Sequence, residues 1–127
     1  PVHPRKNPQG RCQPVKGDWL YLQHILDAIQ KVEDYVSVGY QVFISSSHWQ
    51  DAVIRQLEII GEATKRLSTE LCSQHTDIPW RRIAGLRDVL IHDYMGVDIK
   101  AVWEITQQNL PVLKTRVEAI LKNLDSN

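Results

Sequence analysis

The residues of this 127-residue chain that could do chemistry together fall within one octet, residues 87–94. Arg87 presents a rigid fork of donors that matches phosphate oxygens. His92 can take and return a proton near neutral pH. Asp88 and Tyr94 add a carboxylate and a phenol. This set predicts phosphodiester cleavage that needs neither a metal nor a cofactor.

Each of these residues also has a structural explanation. His92 near a helix C-terminus would complement the negative end of the helix dipole, and Tyr94 would suit the edge of a core. In a straight helix, Arg87 and His92 point about 140° apart and are offset by about 7.5 Å. For both to reach one phosphate, either the helix unwinds before His92 or a second copy brings its own motif across a two-fold axis.

The length and the charge distribution of the chain indicate a single domain and argue against a general nucleic-acid-binding protein. The chain is long enough for one domain. Four of its 15 basic residues and none of its 15 acidic residues precede Asp18, which leaves 11 basic against 15 acidic groups after that point. A slightly acidic domain is unlike proteins that track nucleic acid by neutralising phosphates.

Targeting and redox signals point to a cytoplasmic protein. No run approaches the roughly 18 apolar residues that would span a membrane, and nothing resembles a signal peptide. Cys12 and Cys72 lack a CxxC arrangement and suit free thiols in a reducing compartment. Cys72 and His75 have a ligand-like spacing, but two ligands do not make a zinc site.

The first half of the chain predicts an arm and two long helices. Residues 1–17 form a basic, proline-rich, irregular arm, and residues 18–124 form the helical domain. Asp18 is the predicted N-cap of the first helix, Gly39 ends that stretch, and a link with Phe43 follows. Serines 45–47 offer caps for the second helix, whose apolar stripe continues to Leu71.

The second half predicts two or three more helices. Pro79 suits the first turn of the third helix, which should end around Tyr94 to Gly96. Asp98 caps the next helix, which Pro111 should kink or break. No strand-like alternation of any length appears, so the expected fold is all-α, an antiparallel bundle of four to five helices.

Several marked residues have modest expected roles. Trp80 and Trp103 are expected as core anchors rather than base-stacking platforms. Glu62 is expected in a structural hydrogen bond. Arg81 and Arg82 are expected as solvated surface, with added positive potential near the motif as the alternative.

The motif and several other segments together resemble a known family. Arg87-Asp88, followed by three residues and then His92, fits the Arg-polar-x(n)-His signature of HEPN domains. His92-Asp93-Tyr94 completes the Arg-x4-His-x-Tyr form of the HepT-type toxins. The resemblance spans about residues 18 to 122. The further segments that carry it are 57–63, 78–87, 94–97, 102–103 and 110–111.

The resemblance implies a function and its parts. It implies a metal-independent endoribonuclease, the toxin of a toxin-antitoxin pair, built as a homodimer through the motif helices. Arg87 would hold the scissile phosphate, His92 would move protons, and Asp88 would orient Arg87 or the dimer partner. A minimal nucleotidyltransferase antitoxin would silence the toxin by transferring AMP to Tyr94. The alternative is a non-catalytic helical module that docks beside a nucleotidyltransferase and helps to hold its nucleotide.

Overall fold

The computed structural model describes residues 16–86 and 98–126, which fold into helices joined by short loops. No strand occurs within these ranges, so the predicted all-α class is confirmed. In chain order the elements are α1 (Lys16–Val36), α2 (Tyr40–Ser45), α3 (Ser47–Lys65), α4 (Thr69–Gln74), α5 (Trp80–Ala84), α6 (Ile99–Glu104), a π-helical turn (Ile105–Asn109) and α7 (Leu110–Ser126). None of the described helices is long and apolar enough to cross a bilayer.

Helix α1 is the centre of the bundle and packs against both α3 and α7. Its start lies beside the end of α3, where Asp18 bonds Ser68, and its end lies beside the start of α7, where Glu33 bonds Lys114. Both neighbours therefore run antiparallel to α1, as the sequence predicts. The Lys114 Nζ lies 2.9 Å and 3.1 Å from the two Glu33 carboxylate oxygens.

The core consists of the apolar stripes that the helical period predicts. Each fully buried aliphatic side chain stabilises the fold by about 1.5–3 kcal/mol relative to exposure, so the stripes of the three long helices supply most of the driving force. The members with at most 1% exposure on these helices are Leu22, Ile25, Ile29, Val32, Val53, Leu57, Ile60 and Val117.

Asp18 is not the N-cap of α1, and this prediction is wrong. The helix begins at Lys16, so Asp18 lies in its first turn and is only 1% exposed. Its two carboxylate oxygens accept hydrogen bonds from the backbone N–H of Ser68 at 2.7 Å and from the Ser68 hydroxyl at 2.6 Å. The carboxylate therefore joins α1 to the loop between α3 and α4 rather than capping its own helix.

The predicted second helix is in fact two helices. Helix α3 ends at Lys65, and α4 begins after Ser68, whose hydroxyl accepts from the Leu71 backbone N–H at 3.1 Å. Leu67 and Leu71 are buried as the stripe predicts, but they reach the core from a loop and a separate helix. The bonds from Ser68 to Asp18 hold the chain at this break.

The predicted link around Phe43 is also helical. Gly39 adopts φ 93° and ψ 161° just before α2, and its backbone carbonyl accepts the first N–H of that turn, from Phe43. Phe43 is fully buried and its ring lies 5.3 Å from that of Trp103. The short helix therefore serves to deliver one aromatic side chain to the core.

Helices α6 and α7 are consecutive parts of one helical stretch with a π-helical turn between them. Asp98 accepts a hydrogen bond from the Ala101 N–H at 3.1 Å, which confirms its predicted cap. The π-helical turn ends two residues before Pro111, which lacks an N–H and would clash with the preceding turn of a regular helix. The irregularity expected at Pro111 is confirmed, and its form is a widened turn.

Candidate active site and the elements around it

The predicted catalytic and modification residues lie outside the described part of the chain. Arg87, Asp88, His92 and Tyr94 all fall in residues 87–97. The elements that precede and follow this segment are described, and they are α5 and α6.

Helix α5 is held firmly against the bundle just before the motif. Trp80 and Ile83 are each 9% exposed, and the Trp80 indole N–H donates to the His75 carbonyl oxygen at 2.9 Å. Pro79 stands at the N-cap, one residue earlier than predicted. Because α5 packs on α3, the chain enters the motif from a fixed position on the bundle.

The exposed side of α5 is cationic. Arg81 and Arg82 are both exposed, and they occupy the second and third residues of this five-residue helix. This agrees with both interpretations given above, a solvated surface and a source of positive potential beside the motif. Arg116 of α7 forms an ion pair with Asp77, which ties α7 to the loop that leads into α5.

Helix α6 is anchored after the motif by its aromatic and aliphatic contacts. Val102 is 1% exposed, and the Trp103 ring lies 5.3 Å from the rings of Tyr40 and Phe43. The expectation that Trp80 and Trp103 are core anchors is confirmed. Trp80 is buried and Trp103 is half-buried against the core.

A groove of about 360 Å³ between α1 and α3 is a feature that sequence reasoning missed. We call it the α1–α3 groove. Its polar and aromatic lining residues are Tyr21, His24, Arg55, Glu58, Glu62 and Arg66.

The α3 wall of this groove carries alternating charges. Arg55 lies 3.7 Å from Glu58, and Arg66 lies 3.5 Å from Glu62. The two arginine side chains are 69% and 58% exposed, so these pairs face water and each contributes little to stability. Glu62, for which the sequence predicts a structural hydrogen bond, lies in a solvent-facing ion pair with Arg66.

The α1 wall carries two aromatic rings. The Tyr21 and His24 ring centroids lie 5.9 Å apart at an interplanar angle of 83°, an edge-to-face arrangement. The Tyr21 ring extends back over Gly17, where an added Cβ would lie 3.4 Å from Tyr21 Cε2. His24, which has no partner visible in the sequence, therefore packs against a tyrosine whose ring lies over Gly17.

Cys72 of α4 carries a half-buried free thiol near Asp18, which lies in the first turn of α1. Burial, and after it the nearby Asp18 carboxylate, raise the pKa of this thiol above its ordinary value. A raised pKa disfavours the thiolate, which is the form that attacks electrophiles and binds metals.

Comparisons with known proteins agree on one family. The family model for HepT-like ribonucleases, described as "Ribonuclease HepT-like", matches residues 25–120. The chain is 40% identical to "Probable ribonuclease HepT" of Thermococcus cleftensis over 80% of its own length and 94% of that protein. It is 39% identical to a protein of Caldanaerobacter subterraneus subsp. tengcongensis that is named as an RNase, over 80% of its own length and 92% of that protein.

One further relative is a longer protein. The chain is 42% identical to a protein of Methanocaldococcus jannaschii named as a gamma-glutamylcyclotransferase and RNase, over 85% of its own length but only 49% of that protein. The chain thus spans about half the length of that relative. No solved structure is significantly similar to the chain.

Proposed function

Because the chain belongs to the HepT-like ribonuclease family, we propose that it is a metal-independent RNA endonuclease whose catalytic residues are Arg87 and His92. The observation that carries this proposal is the family match itself. The match covers residues 25–120, and that range contains the whole Arg87-x4-His92-x-Tyr94 motif. The relatives named as ribonucleases align with most of the chain, which supports the assignment of RNA as substrate.

The reaction we propose is an internal displacement at phosphorus. His92 takes the proton of a ribose 2′-hydroxyl, whose oxygen then attacks the neighbouring phosphorus. The bond to the 5′-oxygen breaks, and that oxygen leaves with a proton from a second imidazole or from water. Arg87 neutralises the charge that develops on the phosphoryl oxygens, and Asp88 orients Arg87. The products are a 2′,3′-cyclic phosphate and a 5′-hydroxyl.

We place the site between two copies of the chain. A straight helix points Arg87 and His92 about 140° apart, so one copy positions the pair poorly on a single phosphate. In a two-fold dimer the same surface meets itself, and the Arg87 of one copy can face the His92 of the other. The exposed Arg81 and Arg82 of α5, which precede the motif, would then add positive charge from both copies to one cleft.

The proposed biological setting is a toxin-antitoxin pair. The cognate partner is a minimal nucleotidyltransferase, which binds ATP and lets the Tyr94 phenol oxygen attack the α-phosphorus. The bond to pyrophosphate breaks, the phenol proton passes to solvent or a base, and AMP remains on Tyr94. A bulky anion beside Arg87 competes with the RNA phosphate and so silences cleavage.

Cleavage of labelled RNA in EDTA tests the catalytic assignment. We expect wild-type protein to cut and to leave 2′,3′-cyclic phosphate ends, and His92→Ala to lose about 10²- to 10⁴-fold in rate, since that is the usual size of acid–base catalysis. Arg87→Ala should also be inactive, whereas His48→Ala, an exposed histidine on α3, should cut normally. Equal cutting by all four proteins would refute the assignment.

Mixing the two inactive variants tests the shared site. When Arg87→Ala and His92→Ala subunits exchange at equal concentration, half of the dimers are mixed and each keeps one of two opposed Arg–His pairs. Activity should return to about a quarter of the wild-type rate. If Arg87 and His92 act within one copy, mixing restores nothing, and sedimentation that shows only monomer contradicts the dimer directly.

Intact mass tests the modification. After co-expression with the cognate nucleotidyltransferase, wild-type protein should gain the mass of one AMP and lose nuclease activity. Tyr94→Phe should gain no mass and remain active in the presence of the partner. A gain of the same mass on Tyr94→Phe would move the acceptor elsewhere.

A further inference from the structure

The α1–α3 groove lies between two helices that the structure describes fully, and the catalytic proposal does not use it. Its volume of about 360 Å³ falls in the range of sites for small ligands. One wall presents Tyr21 and His24, and the other presents Arg55 and Arg66 with their acidic neighbours. Rings on one side and charged groups on the other are the two kinds of contact that proteins use for single-stranded nucleic acid.

The alternation of charge decides between classes of ligand. Glu58 and Glu62 would repel a simple anion, and the two arginines would repel a simple cation. A nucleotide carries both an anionic phosphate, which an arginine fork matches, and base amino and ribose hydroxyl donors, which a carboxylate accepts. Its planar base completes the match with the aromatic wall.

Exposure leaves the arginines able to act on such a ligand. The Arg55 and Arg66 side chains are 69% and 58% exposed, and their distances to the glutamates, 3.7 Å and 3.5 Å, are those of loose ion pairs. Each guanidinium has five N–H donors, so a pair with one carboxylate leaves donors for a phosphate oxygen. Movement of these side chains costs little because surface pairs of this kind are weak.

We propose that the α1–α3 groove binds one nucleotide of a single-stranded RNA. The base packs against Tyr21 and His24, and a phosphate of the same nucleotide contacts Arg55 or Arg66. This inference rests on the proposed function, since RNA is the substrate there, and it adds a contact away from the cleaved bond. It also accounts for RNA binding by an acidic domain, because a local set of partners replaces a broad basic surface.

The test measures binding of a labelled single-stranded RNA of about ten nucleotides, a length within the range that such sites cover. Fluorescence anisotropy on a His92→Ala background avoids cleavage. Adding Arg55→Gln and Arg66→Gln should weaken binding about tenfold and lower the slope of log affinity against log salt by about 0.7, the value for one phosphate contact on a single strand. The matched control, Lys31→Gln with Lys122→Gln, also removes two exposed cations and should change binding less than twofold.

The aromatic wall has a separate test. Tyr21→Leu with His24→Leu keeps apolar contact but removes both rings, and it should weaken RNA binding about tenfold, the lower part of the range for loss of base stacking. Circular dichroism must show that each variant is folded. If the lysine control loses as much RNA affinity as the arginine variant, binding depends on total surface charge, and the inference is overturned.

The outcomes separate this inference from the proposed function. If wild-type protein cuts RNA and the groove variants bind RNA normally, the groove assignment fails and the nuclease stands. If those variants instead change the sedimentation of the protein while RNA binding is unaltered, the groove is a protein contact and the inference is again wrong. If wild-type protein cuts no RNA at all, the proposed function fails. Groove-dependent RNA binding in that case would still support the groove.

Discussion

The contact between Asp18 and Ser68 should be the most costly polar contact to remove from the described part of the bundle. The carboxylate is 1% exposed and accepts two short hydrogen bonds, at 2.7 Å and 2.6 Å, from a residue 50 positions later in the chain. It holds the start of α1 against the start of α4. Its replacement therefore affects two helices and the break between α3 and α4.

The expected loss can be worked out from these bonds. A hydrogen bond to a charged group contributes about 1.5–3 kcal/mol, and the lower end applies here because Ser68 is only half-buried and water can replace the lost acceptor. Asp18→Ala removes two such bonds and should lower the free energy of unfolding by about 3 kcal/mol. Asp18→Asn can accept from the Ser68 N–H and donate to its hydroxyl, so we expect a loss of about 1 kcal/mol.

Urea denaturation followed by circular dichroism measures these changes. The matched control is Asp27→Ala, an exposed aspartate of the same helix that accepts from Gln23 at 3.1 Å, and its loss should stay within about 0.5 kcal/mol. A double-mutant cycle with Ser68→Ala should give a coupling of about 1.5 kcal/mol, the value of the hydroxyl bond alone. If Asp18→Ala unfolds no more easily than Asp27→Ala, the buried contact does not stabilise the fold and the reasoning is refuted.

Three further predictions concern single positions. Gly39→Ala should lower the free energy of unfolding by about 1–3 kcal/mol, because φ 93° with ψ 161° is a region that only glycine adopts readily, although nothing lies within 4 Å of the added Cβ. The control Gly85→Ala, at φ −82°, should cause no comparable loss, and equal urea midpoints for the two variants would contradict the prediction. Because its pKa is raised, the Cys72 thiol should react with iodoacetamide at pH 8 more slowly in folded than in denatured protein. Peptide mass mapping measures the two rates, and equal rates would contradict the effect of burial. The hydrogen bond that Lys114 donates to the Glu33 carboxylate raises the pKa of Lys114. The stability from this pair should therefore be complete below the ordinary value of 10.5 and lost as pH rises through the raised pKa. The melting temperatures of wild type and Lys114→Met should converge there and at high salt.

Local pattern was enough to predict the three long helices, although α5 ends at Ala84, well before the end near Tyr94 to Gly96 that the pattern predicts. The apolar period placed Leu22, Ile25, Val117 and their partners in the core, and the cap at Asp98 follows from a rule about one residue and the turn after it. These features depend only on neighbours within about four residues. That range is the one over which a sequence can be interpreted without knowing the fold.

The predictions that are wrong concern positions whose structure depends on a residue far away in the sequence. Asp18 satisfies every local rule for an N-cap, yet its partner is Ser68, and the same contact interrupts a stripe that continues through Leu67 to Leu71. The six residues of α2 are too few to show a period, so the sequence predicts a link around Phe43 where the structure has a helix. No local pattern reveals that two helices meet at these points.

The site divides in the same way. The interpretation of Arg87 and His92 as a catalytic pair depends on the resemblance to a family, and helical geometry alone argues against one copy acting by itself. The α1–α3 groove has only a faint sequence signal, the recurrence of Arg55, Glu58 and Glu62 at helical spacing on α3. Its second wall is on α1, more than 30 residues earlier, and becomes part of the groove only once α1 and α3 pack together.

The charge balance gives a reason why such a protein would need local RNA contacts. Residues 18–127 carry 11 basic and 15 acidic groups, so the dimer proposed above would double the acidic excess and oppose the approach of RNA from a distance. Screening at physiological salt confines this repulsion to about 8 Å, a distance shorter than the width of one helix with its side chains. Within that distance the charges nearest to the RNA determine whether it is attracted or repelled. The exposed cations available are Arg81 and Arg82, which precede the motif in sequence, and the two arginines of the groove. RNA recognition by this fold should therefore depend on a few arginines in fixed positions and respond weakly to changes of charge elsewhere on the surface.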